Sequence, residues 1–173
     1  MRNSRLAIAT RAQHQRRAQI ERQARALAYT EMRARAKAQK RPMPDSQIVE
    51  IALAAHMAIA SMSGSCADDD HWHVLACAMN YTLVLCELGI GADDIEIAQH
   101  ALGALVSAQD RRERLGRWGF TGDELTDIRV AVELHTRQLE TATREQLTTA
   151  QTTIHRRLAA GDHYKRQPEQ EAA

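Results

Sequence analysis

Pro42 and Pro44 divide this chain into a stretch that cannot build a core and a stretch that can. Proline lacks the N–H that a helix interior needs and restricts the residue before it. Arg41-Pro42-Met43-Pro44 therefore stops any helix arriving from the N-terminal side. Residues 5–28 read as a helix of Arg, Ala and Gln, all strong helix formers. Their large apolar residues are few, Leu6, Ile8, Ile20 and Leu27. A helix this polar has no broad face to bury. Thr30 is placed to cap a second short helix from Glu31 to about Gln39. Beyond the prolines, apolar residues recur at steps of three and four as far as Leu158. The expected organisation is a helical arm over residues 1–44, a bundle over 45–161 and a polar, disordered tail over 162–173. At 173 residues this is one domain with extensions, and a body of roughly 120 residues can hold one core without disulfides or metal.

Charge divides the chain at the same place. Residues 1–41 carry twelve Lys and Arg against only Glu21 and Glu31; the remainder carries eleven basic and twenty acidic residues. The near-neutral total of +1 hides a basic arm and an acidic body, the asymmetry of a chain that meets a polyanion.

The body reads as about five helices. Asp45 or Ser46 caps the first, whose Ile48, Ile51, Leu53, Ala55, Met57, Ile59 and Met62 are apolar nearly all round, as expected of a central helix. Asp68, Asp69 and Asp70 place negative charge where the next helix dipole favours it. That helix runs from about His71 to Leu88, with Gly89 as its left-handed cap. Asp93-Asp94-Ile95-Glu96 has capping-box spacing for a third, carrying Ala98, Leu102 and Leu105 and stopping at Gly116. Thr121-Gly122-Asp123-Glu124 opens a fourth, lined by Leu125, Ile128, Val132, His135 and Leu139. Thr143-Arg144-Glu145-Gln146 opens the last, which stops at Gly161. No stretch alternates at period two, and aromatics are scarce. The fold class is all-α, a helical bundle preceded by a basic, partly independent helical arm. No run approaches the length of a membrane span, and three cysteines without framework spacing fit a reducing, cytoplasmic setting. An Arg-rich start also describes a transit peptide, but the helical pattern runs well past a plausible cleavage point.

The strongest candidate chemistry is the arm. Arg11, Arg16, Arg17, Arg22, Arg25, Arg33, Arg35, Lys37, Lys40 and Arg41 suit phosphate contact, because neutralised phosphates release counterions and Arg binds two phosphate oxygens at once. Basic residues all round the helix favour phosphates over base edges. With Tyr29 its only aromatic, the arm is poorly equipped to stack on single strands. The alternatives are a solvated helix, or docking on the acidic body of its own or a neighbouring subunit. Cys66, His71, His73 and Cys77 are metal-type ligands within twelve residues, but they lack a second pair at finger-like spacing. No structural metal and no cofactor is expected. The aspartates read as caps rather than cation ligands. No strained nucleophile turn or paired catalytic carboxylates stand out, so the chain is expected to be non-enzymatic. The loop Gly116-Arg117-Trp118-Gly119-Phe120-Thr121-Gly122 concentrates two aromatics between glycines. Either it plugs the bundle end, or Arg117, Trp118 and Phe120 anchor a protein partner or a second copy.

Arg117-Trp118-Gly119-Phe120 with Gly122 and Leu125, then Asp127-Ile128, Glu133-Leu134-His135 and Gln138-Leu139, resembles uncharacterised small α-helical proteins of bacterial prophages and other mobile elements. The resemblance covers about residues 70–160 and the general character of the arm. It implies no activity. It implies a bacterial cytoplasmic protein concerned with DNA maintenance, gene control or inhibition of a host factor.

Overall fold

The structure, a computed structural model, describes residues 2–64 and 66–162, with side chains from residue 19 onward. The described residues are all-α. The helices are α1 (Arg2–Gln39), α2 (Asp45–Met62), α3 (Asp69–Glu87), α4 (Ile95–Leu115), α5 (Gly122–Thr141) and α6 (Arg144–Ala159). They form two compact units, one ending at Lys40 and the other beginning at Arg41. The expected tail lies outside the described residues from position 163.

The first unit is α1, a single helix where a break at Thr30 was expected. Thr30 does not cap. Its hydroxyl donates to the Leu27 carbonyl at 2.7 Å, the way a Thr inside a helix satisfies itself. No Gly or Pro lies between Ala28 and Ala34, so propensity carries the helix through.

In the second unit the central helix is α3, not α2. It packs against α2, α4, α5 and α6, and its Leu75, Met79 and Leu85 are fully buried. Each such side chain contributes about 1.5–3 kcal/mol relative to exposure. The helix α2 buries only Ile48, Ala55, Ala58, Ile59 and Met62. Its opposite face exposes Val49, Leu53 and Met57. Apolar residues all round a helix thus mark here a one-sided helix with an apolar outer face. The helix α4 faces α3 and α5 with Ala98, Ala101, Gly103, Ala104, Ser107 and Ala108. These small side chains let the helices approach closely.

Boundaries follow local chemistry. Pro44 stands at the N-cap of α2, one residue before the expected Asp45, and makes no side-chain cap bond. The Asp68 carboxylate caps α3 by accepting from the His71 amide at 3.0 Å. Thr121 and Thr143 both form complete capping boxes, each a stabilising device of about 1 kcal/mol. Gly89 ends α3 in a left-handed turn with φ 90°, the Ile90 amide reaching back to the Leu85 carbonyl at 2.9 Å. The expected Asp93–Glu96 box does not form. A 3-10 turn over Ala92–Asp94 leads into α4, and Asp94 makes no side-chain cap bond. The cause is Gly91, at φ 74°. A Cβ there would sit 3.2 Å from Leu134 Cδ1, so the chain turns tightly against α5 instead of entering α4 through an extended cap.

The second unit begins with a tie. The Arg144 amide donates to the Arg41 carbonyl at 3.0 Å, joining the start of α6 to the residue before the prolines. Pro42 and Thr143 form an isolated antiparallel bridge. A fragment of residues 41–162 should melt cooperatively. One beginning at residue 45 should lose about 1 kcal/mol with these contacts. Comparative urea titrations check this. Equal stability would show that the tie contributes nothing, and a non-cooperative melt of both would show that α1 belongs to the core.

Candidate nucleic-acid interface and the tryptophan loop

Every described residue of the first unit from Gln19 to Lys40 is exposed. Arg22, Arg25, Arg33, Arg35 and Lys37 are therefore solvent-facing cations on α1, and Lys40 directly follows it. The Arg33 guanidinium lies 5.9 Å from the centre of the Tyr29 ring. Arg11, Arg16 and Arg17 fall on the helix, but their side chains lie outside the described ones. Arg41 stands apart from the others. It belongs to the second unit, where its carbonyl is held by Arg144.

The tryptophan loop is built against the bundle. Trp118 and Phe120 are partly buried on the main core cluster, while Arg117 is exposed. Trp118 stacks on Trp72 with ring centres 5.7 Å apart, and its indole N–H donates to Asp69 Oδ1 at 2.7 Å. The Trp72 indole donates to the Leu105 carbonyl at 3.0 Å. Arg112 lies 5.9 Å from the centre of the Trp118 ring. Arg111 fixes the backbone. One of its terminal nitrogens donates to the Gly119 carbonyl at 2.6 Å and the other to Glu124 Oε1 at 2.9 Å. Burial alone would raise the Glu124 carboxyl, but Arg111 and the Thr121 amide outweigh it and hold the group below its usual range. Arg111 is thus a structural residue that its place in a run of C-terminal cations did not reveal. Beside the loop, a cleft of about 870 Å³ is lined by Asp68, Asp69, Asp70, Arg112, Arg117 and Trp118 among others. Three consecutive aspartates and two arginines share its lining, so no single sign of charge dominates it.

The four metal-type ligands are not brought together. His71 pairs with Asp68 at 2.5 Å, and His73 Nδ1 donates to the Asp69 carbonyl at 2.6 Å. Partial burial pushes the Cys77 thiol up. Among the described residues no three His, Cys, Asp or Glu side chains converge as a metal site.

A polar cluster that periodicity does not reveal lies between α3 and α5. The Thr82 hydroxyl donates to the Ala78 carbonyl at 3.0 Å and sits 3.1 Å from His135 Nδ1. Since the hydroxyl proton is committed, His135 donates from Nδ1. Gln138 Nε2 reaches the Ile90 carbonyl at 2.7 Å and the Thr82 carbonyl at 3.2 Å, while Gln138 Oε1 is buried without a partner. Burial lowers the His135 pKa to about 4, so the ring is neutral in the folded protein near pH 7.

No family model matches this chain, and no curated protein or solved structure shows significant similarity to it.

Trp118→Ala should lower stability by about 2–3 kcal/mol through lost packing, while Arg117→Ala should change it little. Denaturant titration checks both, and an unchanged Trp118→Ala protein would refute the plug. For His135 the folded pKa lies below the unfolded value. The unfolded chain therefore binds more protons as pH falls from about 6.5 towards 4, and stability drops in that window. The loss attributable to His135 between pH 7 and pH 5 is about 2 kcal/mol. His135→Leu should remove that component. An identical pH profile in the variant would show that His135 is not its source.

Proposed function

We propose that this is a non-enzymatic, nucleic-acid-associated protein of the bacterial mobile-element type, binding phosphates through its basic N-terminal arm. The observation that carries the reading is the exposure of every described arm residue from Gln19 to Lys40, including six cations against Glu21 and Glu31. A helix with so little to bury is stabilised mainly by propensity and length, and exposed cations close together on it repel one another. A polyanion relieves that repulsion and gains released counterions. The acidic second unit supplies the fold and discourages indiscriminate wrapping on nucleic acid. Among the described residues no helix is long and apolar enough to cross a membrane.

A second reading, a protein-interaction or inhibitor module, draws on α2. Val49, Leu53 and Met57 are 63%, 55% and 61% exposed and recur every four residues, which places them along one outer stripe. That face, rather than Trp118 and Phe120, is where a protein partner would find apolar surface.

Salt separates the two. If six cations reach phosphates, log K for duplex DNA should fall against log salt with a slope of about −5. Replacing Arg25 and Lys37 by Gln should flatten the slope by up to about two. Absence of binding to duplex or single strands at 50 mM salt and micromolar protein would end the nucleic-acid reading.

A further inference from the structure

We infer that α1 is a major-groove element for B-form duplex DNA, meeting it with one stripe of the helix. This rests on the nucleic-acid reading above and names its ligand. The helix has no break at Thr30. Because α1 is unbroken from Arg2 to Gln39, positions along it share one register of about 100° per residue. On that register Arg22, Arg25, Arg33 and Lys37 fall within an arc of about 120°, while Arg35 falls outside it. Glu21 and Glu31 also lie off the arc, Glu31 nearly opposite Arg33. The cations that a residue count spreads round the helix therefore gather, over the described part, on one side.

The middle of that arc has the composition of a groove-facing surface. It runs Arg22, Ala26, Tyr29, Arg33, Ala36 in steps of four and three. The alanines allow the helix axis to approach closely. Arg25 and Lys37 stand at opposite margins of the arc, placed for phosphates on the two walls. Arg22 and Arg33 stand on its centre line, where a guanidinium can pair with guanine O6 and N7. Arg33 already lies over the Tyr29 ring, 5.9 Å from its centre. A straight helix follows a curved groove over only part of its length. Arg25 to Arg33, about 12 Å apart along the axis, forms the centre of contact.

Dimensions select the ligand. A helix with its side chains is about 10–12 Å across, and the B-form major groove is about 12 Å wide. The A-form major groove of duplex RNA is deep and too narrow to admit it. Single strands bind through stacked aromatics, and Tyr29 is the only aromatic residue from Gln19 to Lys40.

The test uses the full-length chain, fluorescence anisotropy and about 0.1 M salt, where charges are screened beyond about 10 Å. The probes are one mixed sequence as duplex DNA, as duplex RNA and as single-stranded DNA. Two double variants have the same composition and charge. Ala26→Glu with Arg33→Gln alters the stripe. Ala28→Glu with Arg35→Gln makes the same changes two residues on, about 200° round the helix. The first should weaken duplex DNA binding at least about tenfold, the second less than about threefold, with equal helicity by circular dichroism. Wild type should prefer duplex DNA to duplex RNA by at least about tenfold. If the first variant loses helicity, Arg33→Lys against Arg35→Lys replaces the comparison. These keep charge and helix propensity but remove the planar fork, and only Arg33→Lys should weaken binding. Equal losses on both faces, or equal affinity for duplex RNA, would overturn the groove assignment and leave phosphate binding standing. Failure of wild type at micromolar concentration to bind any probe when the salt is lowered to 50 mM would overturn the nucleic-acid reading itself.

Discussion

The second unit depends on α3 being enclosed. A helix touched by four others must offer apolar or hydrogen-bonded surface in nearly every direction, and α3 does so by combining Leu75, Met79, Val84 and Leu85 with a buried Thr82. Thr82 is tolerated because its hydroxyl is fully used, donating to Ala78 and receiving His135. Gln138 then binds the carbonyls of both Thr82 and Ile90, so one side chain of α5 holds the end of α3 and the turn that leaves it. The Ile90 carbonyl lies in the turn and receives no backbone N–H, and a desolvated carbonyl left without a donor costs about 1–3 kcal/mol. This explains why a polar residue sits where Leu would otherwise pack. The Gln138 oxygen remains an unpartnered acceptor, which sets part of that gain aside.

Around this axis the periphery is attached by different means. The helix α6 packs on α3 through Ala150 and Ile154 against Val84 and Leu85. Its far end is fastened by Arg157, which donates to both Glu87 oxygens at 3.1 and 2.7 Å. A half-exposed pair of this kind contributes at most about 1 kcal/mol, so it orients α6 more than it stabilises it. The tryptophan loop is held more firmly. Its aromatic stack covers core residues, and Arg111 and Asp69 satisfy the groups it brings with it. Glycine and aromatic residues share that loop because a turn that folds back onto a bundle end needs freedom in its backbone and bulk in its side chains.

Much of this was legible in the sequence, and the misses share a cause. Capping boxes at Thr121 and Thr143, the acidic start of α3 and the stops at Gly89, Gly116 and Gly161 are local, short-range chemistry, and each is where its residues point. The stripe Ile128, Val132, His135 and Leu139 is likewise buried as its spacing indicates. What periodicity could not rank was which apolar helix is enclosed. Position α2 at the bundle's edge and its outer Val49, Leu53 and Met57 are simply uncovered, whereas α3 looks less apolar because its polar residues find partners on α5. Those partners lie more than fifty residues away in sequence, beyond any local pattern. The Asp93 box failed for the same reason. Gly91 is pressed against Leu134 and Gln138, a contact from another helix that dictates the turn.

The arm reverses the lesson. There the error was to expect a local signal, Thr30, to break the helix, and the consequence reaches function. Two helices divided at Thr30 would have independent registers, and the cations before and after the break would share no face. One helix makes the interval between Arg22 and Arg33 meaningful. Eleven residues are close to three full turns, so the two arginines lie nearly above one another, with Arg25 and Lys37 to either side. The same residue that seems a cap in sequence is satisfied internally by Leu27 and so preserves the alignment. Whether a basic segment is a diffuse cloud of charge or an ordered stripe is decided by backbone continuity, not by the number of arginines. That is why the arm's meaning rests on a threonine that carries no charge at all.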